Sequence, residues 1–254
     1  MEYVNLFELL LSAVFGAIFG SYATLFAYRL PLKESCFGRY FGKKSRCPNC
    51  EKIIKTRDLI PVLNWLLTLG KCRNCKFKIP RTHFFIEIAT TASFILCYLN
   101  FSFGEEFIIY SLISVSCIIL LVTSFTHKSF PQSLLIFLLV LVVINRVLVD
   151  QEIFGLIYSA IIGVVCATFF YHIFYKNNST LFATQEQTFD YVKFILIASL
   201  ALAKVEFLLF FLIIMINFTV LLLLNMVKST RKYGFGYVFI LPFLAILLFP
   251  LLTI

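Results

Sequence analysis

Long apolar runs alternate with short polar connections along almost the whole chain. Uninterrupted runs near residues 4–28, 83–101, 107–125, 133–149, 153–175, 192–204, 206–226 and 234–254 predict eight helices. About 20 apolar residues cross a bilayer, so most of these runs suffice. The sixth is short, and Lys204-Val205-Glu206 leaves only a tight turn before the seventh, so an incomplete crossing is expected there. The expected fold is an all-α polytopic membrane protein with about eight transmembrane helices. Residues 1–28 form the first helix, 29–82 a basic cytoplasmic loop and 83–254 a transmembrane bundle. The first run exceeds the 7–15 residues of a signal-peptide core and has no basic residue before it, so it reads as a retained helix. Glu8 lies within headgroup reach of its start. No period of 20–50 residues repeats, which argues against a solenoid.

Composition sharpens this picture. The chain is 61% hydrophobic and only 14% charged, whereas soluble domains carry roughly 25% charged residues. With 31 Phe it has too much apolar surface to remain disordered. Charge is concentrated: Arg29 to Arg81 holds 14 Lys/Arg against Glu34, Glu51 and Asp58. Such a surface suits nucleic acid, but in a membrane protein it marks the cytoplasmic side. We therefore expect the lipid bilayer, and no nucleic acid, as its partner. With that loop inside, Lys128, Lys176, Lys193, Lys228, Arg231 and Lys232 fall on the same side. Glu105, Glu106, Asp150, Glu152 and Glu206 fall opposite, and the N-terminus lies outside the cytoplasm.

The eight cysteines divide by context. Cys97, Cys117 and Cys166 lie singly in apolar runs, as small hydrophobes do, and Cys36 stands alone in the loop. Cys47-Pro-Asn-Cys50 and Cys72-Arg-Asn-Cys75, with 21 residues between them, have the spacing of a tetrahedral zinc knuckle. Paired disulfides are the alternative, disfavoured in a reducing compartment. Arg46, Lys71, Arg73 and Lys76 would offset the doubly negative centre. Four protein ligands leave no open position, so the zinc is expected to be structural and to fold a small insert.

Gly20-Ser21-Tyr22-Ala23-Thr24-Leu25-Phe26-Ala27-Tyr28-Arg29-Leu30-Pro31 resembles the G-S-F-x-N-x-x-x-Y-R-L-P opening of bacterial type IV prepilin peptidases. The resemblance continues through Ser45-Arg46-Cys47-Pro48-Asn49-Cys50, Asp58 to Leu66, Gly70 to Cys75, and Ile79 to Glu87. Thr24 stands where the family usually has Asn, and His83-Phe84 where it usually has Tyr-Pro. The resemblance implies a multi-pass protein of the bacterial inner (cytoplasmic) membrane. It would cut the basic leader from prepilins or pseudopilins and methylate the new N-terminus with S-adenosylmethionine. The cysteine insert is associated with that second activity.

Peptidase chemistry in this family uses two aspartates. In the frame D-x-x-x-x-x-I-P-D-x-L, Ser124 occupies the catalytic position and Gln132 replaces the second acid. In the frame G-x-G-D-x-K, aligning on Lys193 places Tyr191 at the catalytic position and Asp190 at the preceding Gly; a one-residue slip would put Asp190 in the site, with the glycines still missing. Leu241-Pro242-Phe243-Leu244-Ala245 resembles the family's G-P-F-L-A without its Gly. Aspartic proteolysis needs two carboxylates sharing a proton; a Ser hydroxyl cannot be that base, and Tyr is poorly suited.

Other constellations are weaker. Glu186 and Asp190, four apart, would share a face if helical. Ser124 and His127 are three apart, with no acid or oxyanion element to complete a triad. His83, His127 and His172 read as interfacial polar residues. Gly234-Phe235-Gly236 is a lone fragment with no strand before it. Asp58 and Glu87 are carboxylates suited to a substrate or methyl-donor site; for Glu87 the plain alternative is a pair with Arg81 or another insert cation. Three readings follow: a family member with proteolysis lost and N-methylation retained, a non-catalytic scaffold in pilus or type II secretion assembly, and an active peptidase using Asp190 with a further carboxylate.

Overall fold

Among the described residues, helices lie within each of the apolar runs. In the computed structural model the described residues are 5–34, 36, 47, 49–55, 58, 60–149, 153–173, 185–202, 204–223 and 235–249. The basic stretch 37–46, Asp150, Glu152, Lys176, Lys228, Arg231, Lys232, Gly234 and the ends of several expected spans lie outside them. The chain divides into two compact units, Met1–Ser102 and Phe103–Ile254.

The first unit pairs α1 (Leu6–Arg29) with α3 (Arg81–Phe101) and carries the short α2 (Leu63–Thr68). Asn5 starts α1 by accepting the Phe7 amide on its side chain at 3.1 Å. The face of α1 turned to α3 is built from small residues: Ser12, Gly16, Gly20, Ala23 and Ala27 are its buried positions. A Cβ at Gly16 would lie 2.7 Å from Thr91 Cα, and one at Gly20 would lie 2.8 Å from Glu87 Cα. Backbones approach this closely only where side chains are absent, the usual device for packing helices in lipid. Phe19 stacks on Phe94 at 5.4 Å beside this seam, and Tyr98 donates its hydroxyl to Glu8 at 2.9 Å near the start of α1. The opposite face, with Leu6, Phe7, Leu10, Val14, Ile18 and Tyr22, is exposed. That pattern suits a helix whose solvent is lipid.

The second unit is built from α4 (Glu105–His127), α5 (Gln132–Ile144), α6 (Ile153–Tyr171), α7 (Gln185–Ala201), α8 (Lys204–Leu223) and α9 (Gly236–Leu248). α4 is the most enclosed of the candidate spans, with 72% of its apolar window buried. Rings fill the core: Tyr191 lies flat on Phe239 at 4.6 Å, and Phe170, Phe194, Phe210, Phe218, Phe235 and Phe243 are completely or almost completely buried. α6 and α7 meet where Gly163 faces Ser199, with a would-be Cβ 2.8 Å from Ser199 Cβ.

Among the described residues, four helices are long and apolar enough to cross a membrane: α1, α3, α4 and residues 154–171 of α6. Residues 132–147, 206–221 and 236–248 are shorter apolar helices. α7 starts at Gln185 rather than near 192, because its polar first turns are helical too. Its far end is fixed by a residue the hydropathy reading passed over. Arg146 sits in the π-helical turn Asn145–Val149 that ends α5, and its Nε donates to Leu200 O at 2.9 Å. A second guanidinium nitrogen reaches Ala201 O at 3.5 Å. A cation on the last carbonyls of a helix satisfies acceptors that have no partner within the helix, so α7 stops there.

Candidate functional site

The cysteine insert is two copies of one turn. In the first, the amide of Cys47 donates to Lys52 O at 3.1 Å and the amide of Glu51 to Cys47 O at 2.9 Å. In the second, Cys72 donates to Phe77 O at 2.9 Å and Lys76 to Cys72 O at 3.0 Å. The residue four after each leading cysteine is left-handed, Glu51 at φ 53° and Lys76 at φ 60°. Each turn thus folds its two thiols to one side. The knuckles also reach across to one another: Asn74 Nδ2 lies 3.9 Å from Cys50 Sγ, and Asn49 interacts with the Cys75 thiol. The Phe77 amide is the main influence lowering the Cys75 thiol, to about 6. Amides of Cys75 and then Asn74 lower that of Cys72.

The four Sγ atoms of Cys47, Cys50, Cys72 and Cys75 lie within 4.8 Å of one another, with Cys47 and Cys75 at 3.6 Å. Tetrahedral zinc with Zn–S bonds of about 2.3 Å sets its sulfurs about 3.8 Å apart, whereas a disulfide needs about 2.05 Å. The donor set therefore fits a metal ion, and all four cysteines are free thiols.

The insert is bound to α3 through its carboxylates and its tryptophan. Glu87 accepts the Val62 amide at 2.7 Å, and among the described residues it pairs with no cation. Val62 needs that support. At φ 61° and ψ −57° it forms a γ-turn closed by Leu63 N to Pro61 O at 2.6 Å, a strained conformation for a β-branched residue. Asp58 pairs with Arg73 Nε at 2.7 Å, tying one end of the insert to the second knuckle. Trp65 stacks on Phe84 at 4.5 Å, and its other side lies against Gly70, whose φ of 63° and lack of Cβ make that contact possible. Phe84 is one of the departures from the family pattern, and here it supplies the ring on which Trp65 rests.

In the second unit, the two positions that the resemblance makes catalytic meet at one place. Ser124, near the end of α4, accepts the Gly236 amide on Oγ at 3.0 Å. Tyr191, in the second turn of α7, accepts the Phe235 amide on its hydroxyl at 3.1 Å. Both side chains are buried, and together they cap the start of α9. The four orphan amides of a helix N-terminus require such acceptors. Gly236 has no room for a side chain, since a Cβ would come within 2.5 Å of Ser124 Cβ. The sequence reading missed this role; the lone Gly-Phe-Gly fragment was its only trace.

Asp190 is buried beside this cap and fully engaged. Its Oδ2 accepts the Phe130 amide at 3.0 Å, and its Oδ1 accepts Gln132 Nε2 at 2.7 Å and lies 3.7 Å from Lys193 Nζ. Lys193 in turn donates to Gln132 Oε1 at 2.8 Å. The carboxylate holds the turn between α4 and α5 onto α7. Glu186 lies one helical turn before Asp190 on α7 and acts on its carboxyl electrostatically, but it is exposed where Asp190 is buried; His127 is likewise exposed while Ser124 is buried. Asp190→Ala is expected to cost about 1–3 kcal/mol by stranding the Phe130 and Gln132 donors, with Asp190→Asn costing less. Thermal unfolding in detergent micelles measures both; an unchanged midpoint for Asp190→Ala would remove this holding role.

Comparison with known proteins agrees with the motifs. Residues 14–101 match the model of the bacterial peptidase A24 N-terminal domain. A prepilin leader peptidase/N-methyltransferase of Vibrio cholerae is 37% identical over 93 residues, which is 35% of this chain and 36% of that protein. The type 4 prepilin-like proteins leader peptide-processing enzyme of Escherichia coli O78:H11 is 31% identical over 34% of this chain and 37% of its own length. A prepilin leader peptidase/N-methyltransferase of Bacillus subtilis is 29% identical over 50% of this chain and 49% of its own. The matches thus span about a third to a half of these curated relatives. No solved structure matches. Residues 14–101 are thus similar to the bacterial peptidase A24 N-terminal domain, and the likeness to these relatives is strongest over that first part of the chain.

Proposed function

We propose that this chain is an inner-membrane protein of the prepilin peptidase/N-methyltransferase kind that takes prepilin-like helices as partners and does not cleave them. The observation that carries this reading is the pair of buried hydroxyls at positions 124 and 191, spent on the amides of Gly236 and Phe235. Neither supplies a carboxylate to activate water, and loss of one member of a catalytic unit commonly costs several powers of ten in rate. Asp190, the remaining candidate acid, has both oxygens engaged. The protein then serves as a non-catalytic component of pilus or type II secretion assembly, with its cysteine loop on the cytoplasmic side.

The metal of the insert is zinc in this reading, held by Cys47, Cys50, Cys72 and Cys75 in a structural role. S-adenosylmethionine has one candidate carboxylate here: Asp58 faces Arg73, whereas Glu87 accepts the Val62 amide on one oxygen and keeps its charge for a cationic sulfonium. No methyl-transfer step is assigned.

The test uses purified protein with a prepilin bearing a basic leader and apolar helix, together with labelled S-adenosylmethionine. The expected result is co-purification of an intact, unlabelled prepilin. Cleavage that disappears in Asp190→Ala would instead establish an active peptidase. Label transferred to an already processed pilin would establish a methyltransferase.

A further inference from the structure

The insert presents an apolar face that neither its own fold nor its metal cluster uses. Within ten residues, Ile60, Leu63, Leu66, Leu67 and Leu69 are all exposed, Leu67 at 76% and Leu69 at 77%. α2 contains no buried residue at all. Trp65 turns inward, onto Phe84. A patch of leucines of this density on a protein surface marks an interaction site.

Its position names the partner. Val62, at the start of α2, is tied to Glu87, and Trp65 to Phe84, so α2 lies against the first two turns of α3. α3 is long and apolar enough to cross a membrane. At 1.5 Å per residue, Phe84 and Glu87 stand about 5 and 9 Å from its start at Arg81. Surface-lying amphipathic helices bury their apolar side about 5–10 Å into the boundary between headgroups and acyl chains. With the start of α3 at the membrane surface, α2 would lie at that depth. Before and after the leucines in sequence, Lys52, Lys55, Lys71, Lys76, Lys78 and Arg81 are exposed, and such cations suit a layer of anionic headgroups.

We propose that α2 is an interfacial anchor: Leu63, Leu66, Leu67 and Leu69 enter the acyl boundary of the bilayer and hold the metal knuckle against the headgroup layer. The proposal rests on α3 crossing the membrane and is independent of whether the hydroxyl pair can cleave a prepilin.

The test reconstitutes the full chain, with Leu67 replaced by photoreactive benzoylphenylalanine, in phosphatidylethanolamine–phosphatidylglycerol vesicles. Irradiation is expected to yield a chain heavier by one phospholipid. A crosslink to a second copy of the chain, to an added pilin helix, or to nothing would overturn the proposal. A second measurement does not depend on the photoprobe. Leu69→Trp, in vesicles whose acyl chains carry bromine near the glycerol, is expected to lose at least half its added emission and to be shielded from acrylamide. Full acrylamide access without bromine quenching would overturn it as well.

Discussion

Removing the metal from the purified protein, by a thiol-competing chelator or by Cys47→Ser with Cys72→Ser, is expected to unfold the insert and abolish a content of about one zinc per chain. The two knuckles are held by four backbone hydrogen bonds within the turns and by their shared thiol cluster. They include two non-glycine residues in left-handed conformations, Glu51 and Lys76. Little buried apolar surface supports them: of the described residues from 47 to 80, only Cys47 and Gly70 are buried. Structural zinc sites supply about 10–16 kcal/mol of apparent binding energy, far more than such a segment can draw from its own core. The chain's single tryptophan reports the event, because Trp65 is stacked on Phe84 and Gly70. Its emission should move to longer wavelength as zinc leaves. Unchanged emission from metal-free protein would show that the insert folds without the ion.

Replacing Gly20 by leucine is expected to separate α1 from α3 and to prevent the protein from accumulating in its folded form. A Cβ at this position meets Glu87 Cα at 2.8 Å and falls on the Thr90 hydroxyl. The clash is with helix backbone, which cannot rotate away as a side chain can. Overpacking costs typically about 1–3 kcal/mol where side chains can shift; here the whole seam must open, so a loss beyond that range is expected. Gly20→Ala should fall between the two. The disturbance also reaches Glu87, which supports Val62, so the Trp65 signal should change as well. Thermal unfolding in micelles measures the effect. A Gly20→Leu protein melting with the parent would contradict the close packing of these helices.

Much of the architecture could be read along the chain because lipid is a uniform solvent. A segment that must satisfy its own backbone and face acyl chains has to be an apolar helix, and such a segment is visible in one dimension. The cysteine spacing was legible for a similar reason, since a knuckle is a local turn whose thiols converge by backbone geometry. The small-residue face of α1 was equally present in the sequence, but apolar runs are judged by hydropathy, and glycine and alanine contribute little to it. Arg146 was hidden within an expected span because its partners, the carbonyls of Leu200 and Ala201, lie in another helix.

The positions that the resemblance makes catalytic could be read only in part. That it aligns Ser124 and Tyr191 with aspartates is a reading of the sequence. That their hydroxyls converge on consecutive amides of α9, and that Asp190 is engaged by Phe130, Gln132 and Lys193, depends on segments up to 112 residues apart. The helices and the cysteine turns are local and could be read along the chain. What Ser124, Tyr191 and Asp190 do could not, because a buried polar atom takes its role from whichever donors or acceptors distant helices bring within hydrogen-bonding distance.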